Sequence, residues 1–431
     1  MKLMKAVKTA VISAAMLSGT TAFGAGFQLT EQGVTGLGRS YAGAGIVGDD
    51  LSAVAHNPAG MTLLSGTRVQ QNAVVVSLDF EYSGSQTENG RDTPTVVPSG
   101  IITHQLNENV WLGLGITVPY GLKVRYNDDW EGRAKGISAG ITTIDFNPSI
   151  AWKVNEHLSI GAGVSAVYAR AKLKNGLPLG PNAEFEYKGD DWVFGYDLGI
   201  MVTPVESLRF GISYRSALKV NADGDYTLRG LSVNHPLGTL NGGDTVDGSA
   251  RLETPETVMI SGTWEATDKL RLSGLIRWSN WKNFDTLDFA ANEGDFNLPT
   301  QMIIQGVKSS GTNLAAVSVE NNWKAAWLFT LGADYEVNDQ WTVRGGIGLE
   351  TDPIKHQQNR TALIPDTKRL WLSCGFSYMP NKNWQFDVAY AHLRGIGNDK
   401  LYNHKAVGGQ YLGKFNQTNA WLVGAAIQYH F

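Results

Sequence analysis

The sequence predicts an all-β protein, a transmembrane antiparallel β-barrel of 14 strands that is plugged by an N-terminal hatch. Three observations lead to this prediction. Segments in which apolar and polar residues alternate recur along the 431 residues, as in strands with two different faces. Short polar turns and long polar loops alternate between these segments. No stretch of about 18 apolar residues follows the N-terminal region, so a membrane location requires a closed barrel, because lipid offers open strand edges no partners.

Residues 1–24 are predicted to be a signal peptide. Three lysines among the first eight residues precede a short apolar run over 10–17. Small residues follow, and Ala22 and Gly24 suit the −3 and −1 positions of a signal-peptidase site. The alternative, an anchoring helix, is disfavoured because the run is far shorter than the ~20 residues that span a bilayer.

Residues 418–431, which read TNAWLVGAAIQYHF, have an apolar side chain at every second position and end on Phe431. In a soluble protein such an edge strand would favour aggregation. In an outer-membrane barrel it is the closing strand, with its apolar face towards lipid and its aromatic end at the interface. The expected location is therefore the bacterial outer membrane, with membrane lipid and lipopolysaccharide around the barrel. Phe431 is expected to contact the barrel-assembly machinery.

The strand count follows from the connections. Six short polar turns are found at 107–109, 155–157, 204–206, 267–269, 338–340 and 380–383. Seven longer polar connections are found at 82–93, 119–139, 174–190, 222–247, 282–321, 352–364 and 395–417. Together they join fourteen strands, and an even number places both ends of the barrel on the periplasmic side with the short turns. One miscounted hairpin would give twelve or sixteen.

The strands carry charge on the face opposite their apolar residues. These charged residues are Arg209, Arg215, Arg271, Arg277, Arg344, Glu350 and Asp387. Charges that face inward and apolar groups that face outward are typical of transmembrane barrels. Residues 67–431 are therefore predicted to form the barrel.

Residues 25–66 are predicted to form the hatch. This stretch is rich in Gly and Ala but also contains many large apolar residues, among them Phe27, Leu29 and Leu37. A free periplasmic tail would be more polar, and the lumen of a fourteen-stranded barrel is wide enough for a plug. The sequence therefore favours a plugged barrel over an open porin.

Several short motifs resemble the FadL-type outer-membrane transporters of long-chain fatty acids and other hydrophobic compounds. They are AGFQL at 25–29, GLGRSYAG at 36–43, DD at 49–50, NPA at 57–59, VYARAK at 167–172, PE at 255–256, QNR at 358–360, PD at 365–366 and RLWLS at 369–373. They occur in order over nearly the whole mature chain. The resemblance implies the same fold, a fourteen-stranded barrel closed by an N-terminal hatch.

The resemblance also implies a function, the passive uptake of long-chain fatty acids or related hydrophobic molecules. The ligand would adsorb in a groove among the extracellular loops and then enter an apolar pocket bordered by the hatch. Movement of the hatch would release it through a lateral opening at a kinked third strand. Uptake of aromatic or aliphatic hydrocarbons by the same fold is the alternative, because the loop lengths differ from those of the familiar fatty acid carriers.

The resemblance assigns residues to these steps. Ala25, Gly26 and Phe27 would border the pocket, and Asn57, Pro58 and Ala59 would belong to the hatch. The kink would be formed by Pro119, Tyr120 and Gly121. Here the residues support it independently, since Pro cannot donate a ladder hydrogen bond and Gly weakens pairing. The alternative is that these residues merely begin a loop.

A fatty acid carboxylate would need a cation inside the apolar cavity. By the resemblance the candidates are Lys174, Lys324 and, more weakly, Arg170. The alternative for each is a cation that extends to water and has no ligand.

The sequence indicates no catalytic residue, metal site or cofactor and no nucleic-acid partner. The GxGxxG match at 43–48 is not in a βαβ context, and HExxH and GxxxxGK[ST] are missing from the sequence. A barrel enzyme would need a nucleophile or an acid pair beside a base, and we found no such set. The single cysteine, Cys374, is expected to be a small buried residue.

Overall fold

The computed structural model describes residues 25–89, 94–176, 182–230, 233–235, 238–240, 245–291, 315–397, 399–403 and 410–431. The predicted signal peptide, 1–24, lies outside the described residues. Among the described residues, no helix is both long enough and apolar enough to cross a membrane.

Fourteen antiparallel strands form a closed barrel. We number them in chain order, and an interrupted strand keeps one number. They are β1 (Thr67–Ser83), β2 (Thr87–Asn89 and Thr95–Gln105), β3 (Val110–Thr117 and Gly121–Arg125), β4 (Ser138–Asn155), β5 (Leu158–Gly176), β6 (Glu184–Val205), β7 (Leu208–Arg215 and Lys219–Arg229), β8 (Thr245–Glu253 and Thr257–Glu265), β9 (Leu270–Ser279 and Thr286–Ala291), β10 (Ala315–Glu320 and Ala326–Asn338), β11 (Trp341–Glu350), β12 (Arg369–Tyr378), β13 (Trp384–Gly395 and Asp399–Asn403) and β14 (Gln410–His430).

Each strand pairs with its neighbours in sequence, and β14 closes the barrel by pairing with β1 from Arg68 opposite His430 to Ser83 opposite Lys414. A small hairpin, Val233–His235 with Gly238–Leu240, lies in the connection after β7. Short 3₁₀ helices occur at Arg133–Lys135, Trp281–Asn283 and Gln357–Asn359. The predicted fold class and strand number are confirmed.

The two faces of the wall differ as the alternation predicted. Large apolar side chains such as Phe194, Leu331 and Trp421 are exposed on the outer surface, where lipid covers them. The charged side chains of Arg344 and Asp387 are buried in the interior. The expectation of a buried Cys374 is wrong, because its side chain shares the exposed outer face of β12 with that of Leu372.

Several extracellular connections are shorter than the sequence suggested. The predicted loop 174–190 begins only after β5 ends at Gly176 and stops where β6 starts at Glu184. Likewise β3 resumes at Gly121–Arg125 within the predicted loop 119–139. Polar residues misled the prediction because backbone pairing above the membrane does not require apolar side chains.

The N-terminal segment, residues 25–66, packs against inward-facing residues of the barrel. It contains α1 (Val34–Leu37), α2 (Ala53–His56) and a 3₁₀ helix (Pro58–Leu63). Glycines in the wall make room for it: a Cβ at Gly346 would lie 2.2 Å from the carbonyl carbon of Arg39, and one at Gly199 would lie 2.0 Å from Asn57 Oδ1. At these glycines the barrel wall and the segment therefore approach each other so closely that no side chain fits between them.

Candidate functional site: a break in the wall closed by the N-terminal segment

Strand β3 is interrupted at 118–120. Thr117 lies opposite Asp145 and Gly121 lies opposite Thr142, so four steps along β3 match three along β4. This extra residue is the geometry of a β-bulge, which bends a strand away from its partner.

The interruption leaves a gap in the wall. Pairing between β2 and β3 extends to Gly100 opposite Ile116. Beyond that point 95–99 pairs with β1, and 121–125 pairs with β4. Within the described ranges, no ladder joins these two stretches to each other. The wall is therefore unpaired between β2 and β3 on the extracellular side of the break.

The N-terminal segment closes this gap from inside. Leu29 N–H donates to the carbonyl of Pro119 at 2.8 Å, and Gly121 N–H donates to the carbonyl of Phe27 at 3.0 Å. A third residue, Gln32, donates from Nε2 to the carbonyl of Val118 at 2.8 Å. Residues 27–32 thus supply two backbone partners and one side-chain partner to backbone groups of β3 that the missing ladder leaves unpaired.

Phe27 is fully buried in an aromatic cluster. Its ring centroid lies 4.8 Å from that of Trp281, 5.3 Å from that of Phe284 and 6.0 Å from that of Tyr120, all in edge-to-face arrangement. Trp323 extends the cluster, with its centroid 4.9 Å from that of Phe284. These rings form a buried apolar surface against which Phe27 packs.

The backbone at the start of the segment is held by two acidic side chains. Ala25 N donates to Glu350 Oε1 at 3.1 Å, and Gly26 N donates to Asp366 Oδ2 at 2.9 Å. The backbone of Gly26 has φ 67°, and a Cβ there would lie 2.6 Å from Trp281. Glycine is required at this position because its φ is positive and because the indole leaves no room for a side chain.

Two titratable groups of the segment are buried close to this region. Burial, together with the neighbouring charge of Glu350, raises the pKa of Glu31 to about 7. No partner for Glu31 Oε2 is found among the described residues. Burial lowers the pKa of His56 to about 3, so His56 is neutral at physiological pH.

Of the lysines predicted from the sequence, Lys324 is the one beside the cluster. It follows Trp323 directly, and its Nζ lies 3.4 Å from Asp352 with 41% of the side chain exposed. Lys174 lies at the extracellular end of β5, where its Nζ is 2.9 Å from Glu184 and 3.3 Å from Asp128. The two lysines are thus held by different carboxylates.

Arg170 is not brought to this site. Its side chain is exposed on the outer face of β5, in the same phase as the lipid-facing Val164. The sequence-based placement of Arg170 beside an internal ligand therefore differs from the structure, because the period-two alternation directs its side chain outward.

Asn57, Pro58 and Ala59 lie against a different part of the wall. Asn57 Nδ2 donates to the carbonyl of Ile200 on β6 at 3.1 Å, and its Oδ1 accepts from Ala59 N–H at 3.1 Å. The Asn57 side chain thereby caps the 3₁₀ helix that Pro58 begins. These residues attach the segment to β6, which is not one of the two strands that border the gap.

The sequence did not reveal the partners of Phe27. Trp281 and Phe284 border the predicted loop 282–321, and Trp323 follows it. Aromatic residues at both edges of a long polar loop are a signal that could have been used. Their convergence on a residue more than 250 positions away could not be derived from local pattern.

Comparisons with known proteins agree with this architecture. The sequence profile of the family described as "Outer membrane protein transport protein (OMPP1/FadL/TodX)" matches residues 15–431. The chain is 29% identical to the long-chain fatty acid transport protein of Escherichia coli K12, over 98% of both chains. It is 27% identical to outer membrane protein P1 of Haemophilus influenzae Rd, over 91% of both.

Solved structures show the same fold. A FadL homologue of Pseudomonas aeruginosa matches with a TM-score of 0.81 at 22% identity, covering 94% of this chain and all of the other. The toluene transporter TbuX of Ralstonia pickettii matches with a TM-score of 0.67 at 18% identity, covering 92% of this chain and all of the other. The protein is located in the outer membrane. A family profile that matches nearly the whole chain, on a closed barrel of fourteen strands, shows that this chain belongs to the OMPP1/FadL/TodX family of outer membrane transport proteins.

Proposed function

We propose that this protein takes up long-chain fatty acids or related hydrophobic molecules passively across the outer membrane. The relatives named as long-chain fatty acid transport proteins support this substrate class. The ligand adsorbs among the extracellular loops, enters the apolar interior beside Phe27, and leaves through the gap between β2 and β3. Residues 25–66 act as the hatch of this path.

One observation carries the proposal: the same short stretch covers both the aromatic cluster and the gap. Phe27 packs on the aromatic cluster, and the carbonyl of Phe27 accepts the hydrogen bond of Gly121 beside the break. Displacement of residues 27–32 therefore removes Phe27 from the aromatic cluster and uncovers the unpaired part of β3 in a single movement. Asn57 and its neighbours remain attached to β6, so the hatch can move at its N-terminal end without leaving the barrel.

Two lysines are proposed to bind the ligand carboxylate in sequence. Lys174 shares the outward phase of Arg170 on β5, but its contacts with Asp128 and Glu184 place it at the extracellular loops, where it would meet the ligand before entry. Lys324 lies beside Trp323 and would bind the carboxylate while the chain enters the pocket. Each lysine must exchange a protein carboxylate for that of the ligand, which is a near-balanced exchange of charge-assisted hydrogen bonds.

The test compares Lys174→Gln and Lys324→Gln with Lys382→Gln, a control at an exposed periplasmic turn. Binding of a long-chain fatty acid should weaken in the first two variants, while binding of a neutral hydrocarbon of equal length should remain unchanged. Equal losses for both ligands would refute a carboxylate-reading role. In a separate experiment, Phe27→Glu should reduce uptake by an assembled barrel, since it places a charge in the apolar cluster. Unchanged uptake would refute a role of Phe27 in the path of the ligand.

Uptake of neutral hydrocarbons is the second candidate. It is favoured by the ion pairs of Lys174 and Lys324, which already neutralise the two cations. Binding of both ligand types with equal affinity in all variants would support it. A general porin would instead show a large, steady single-channel conductance, which the closed interior should prevent.

The outer face and the C-terminus suggest further partners. Membrane lipid and lipopolysaccharide would cover the exposed apolar band. Phe431 is 67% exposed, and its N–H donates to the carbonyl of Thr67 at 2.9 Å. Its ring contacts that of Tyr429 and is otherwise exposed, so the barrel-assembly machinery could bind it. We assign no catalytic role to any residue.

A further inference from the structure

We propose that Glu88 and Glu131 fix the extracellular rim of the gap between β2 and β3, and that this rim limits the thickness of the ligand that leaves through the wall. The two residues are thus positioning residues, which favour slim, unbranched chains over bulky molecules. The inference rests on the proposed exit through the gap. It adds a fixed boundary to an opening that the hatch covers at its periplasmic end.

The two edges of the gap meet again at Glu88, which lies on the first part of β2 and is 4% exposed. Its Oε1 accepts from Asn127 N–H at 2.8 Å, and its Oε2 accepts from Asn127 Nδ2. Alternate N–H groups of a strand point to the same side, so the N–H of Asn127 continues the direction of the N–H of Gly121. The hatch binds the N–H of Gly121, and the Glu88 carboxylate binds that of Asn127 in place of the missing ladder.

A second contact repeats this arrangement in the opposite direction. Glu131, in the connection after β3, accepts from Gln86 N–H with Oε1 at 3.3 Å and from Ser85 Oγ with Oε2. In return, Glu131 N–H donates to Gln86 Oε1 at 3.1 Å. Each edge of the gap therefore contributes one carboxylate that binds a backbone N–H of the other edge. Hydrogen bonds to an ionised acceptor are stronger than those between neutral groups, which makes the rim a firm boundary.

Aromatic rings support the rim from the inner side. The ring of Trp130 is stacked on that of Tyr126, with centroids 4.2 Å apart, and meets that of Tyr82 on β1 edge-on at 5.2 Å. All three rings are buried, and Tyr126 Oη donates to the carbonyl of Ala362 at 2.7 Å. These partners belong to β1 and to the extracellular connections. Displacement of residues 27–32 therefore leaves the rim in place.

The periplasmic end of the gap is closed in a different way. The ladder between β2 and β3 ends at Gly100 opposite Ile116. Next to it Gln32 spans the gap, since its side-chain amide exchanges two hydrogen bonds with the backbone of Val118, at 2.8 and 3.3 Å, and its carbonyl accepts from Ser99 Oγ at 3.2 Å. Because Gln32 belongs to the hatch, these contacts are lost when the hatch moves. The opening that remains is a window between the ladder and the rim, and both boundaries hold its edges at a set separation.

The test measures access through this window from the membrane. Leu122, which is buried on the β3 edge of the gap, is replaced (Leu122→Cys) in a Cys374→Ser background, and the full barrel is reconstituted in lipid vesicles. Two lipid-soluble reagents are compared, the slim N-dodecylmaleimide and the bulky N-pyrenylmaleimide. An aqueous thiol removes any reagent that enters from water. Both reagents require the hatch to open, so the ratio of their labelling rates reports the rim.

Glu88→Ala/Glu131→Ala should raise the pyrenyl-to-dodecyl ratio about tenfold or more, since the loss of one hydrogen bond to a charged group shifts an opening equilibrium by about that factor. The control, Glu108→Ala/Glu206→Ala, removes the same charge at exposed periplasmic turns and should keep the native ratio. Glu88→Gln/Glu131→Gln retains an acceptor for each N–H and should stay closer to the native ratio than the alanine variant.

An unchanged ratio in the alanine variant, or an equal rise in its control, would overturn the role of the rim and leave the exit path intact. The path itself is tested with Phe27→Ala, which should speed labelling by both reagents to the same extent. If neither reagent labels the introduced cysteine in that variant, the proposed exit through the gap is wrong, and the rim has no part in it.

Discussion

If Phe27 holds the gap closed, shortening its side chain should increase the population of the open hatch. Phe27→Ala removes a fully buried ring that contacts three other rings. Such a truncation costs about 3–5 kcal/mol when the ring is closed in its cluster. Because the open segment does not contain these contacts, the cost falls on the closed state. The opening equilibrium should then rise by roughly two to more than three powers of ten.

Native-state hydrogen exchange measures this opening directly. The amides of Leu29 and Gly121 donate the bonds that close the break, and both should exchange faster by that factor in Phe27→Ala. The control is Phe415→Ala, which removes a buried ring that contacts Phe80 and Tyr82, outside the Phe27 cluster. If both variants accelerate the two amides equally, or if neither does, Phe27 does not hold the gap closed.

Two other predictions concern the segment as a whole. The raised pKa of Glu31 means that the folded state holds this proton more tightly than the unfolded state, so stability is fully present below pH 4.5 and is lost as the pH rises through about 7. Glu31→Gln should abolish this loss of about 3 kcal/mol, and exchange of residues 25–66, corrected for intrinsic rates, should then vary less with pH than in an exposed Glu108→Gln control. Some dependence should remain, because burial also raises the pKa of Asp50 to about 6 and that of Asp366 to about 7. Gly346→Val should force the segment away from β11, because a Cβ there meets the backbone of Arg39 at 2.2 Å. Limited proteolysis of the segment should increase in Gly346→Val and not in Gly345→Val, whose Cβ would lie 3.7 Å from its nearest neighbour.

Much of the barrel could be predicted because its physics is local. Alternation along a strand such as 418–431 states which face meets lipid, and a turn such as 155–157 states where the chain reverses. The extracellular strand ends were missed, since ladder hydrogen bonds above the membrane leave no apolar signature. The same alternation places Arg170 in phase with Val164 and so predicts that its side chain faces outward. The prediction of Arg170 as a ligand-binding residue followed the VYARAK motif instead.

The site was less predictable than the barrel. Pro119 and Gly121 indicated a weak point in β3, because neither supports a ladder well. What fills the gap depends on contacts between residues such as Gly26 and Asp366, which are 340 positions apart. A single sequence contains no periodic pattern that specifies such a pair. The Glu350 carboxylate was recognised as inward-facing, yet its hydrogen bond to Ala25 followed only from the three-dimensional arrangement.

The position of the N-terminal segment has a consequence for biogenesis. Residues 25–66 leave the export channel first, but the groups that receive them, such as Glu350, Asp366 and Gly424, belong to the last third of the chain. Contacts of such long sequence separation form late, because a large loop must close before they contribute. The earliest part of the chain to arrive in the periplasm is therefore among the last to reach its native surroundings. The segment must therefore stay unfolded until the barrel closes. Its many small residues and short helices suit a segment that folds only after the seam between β14 and β1 has formed.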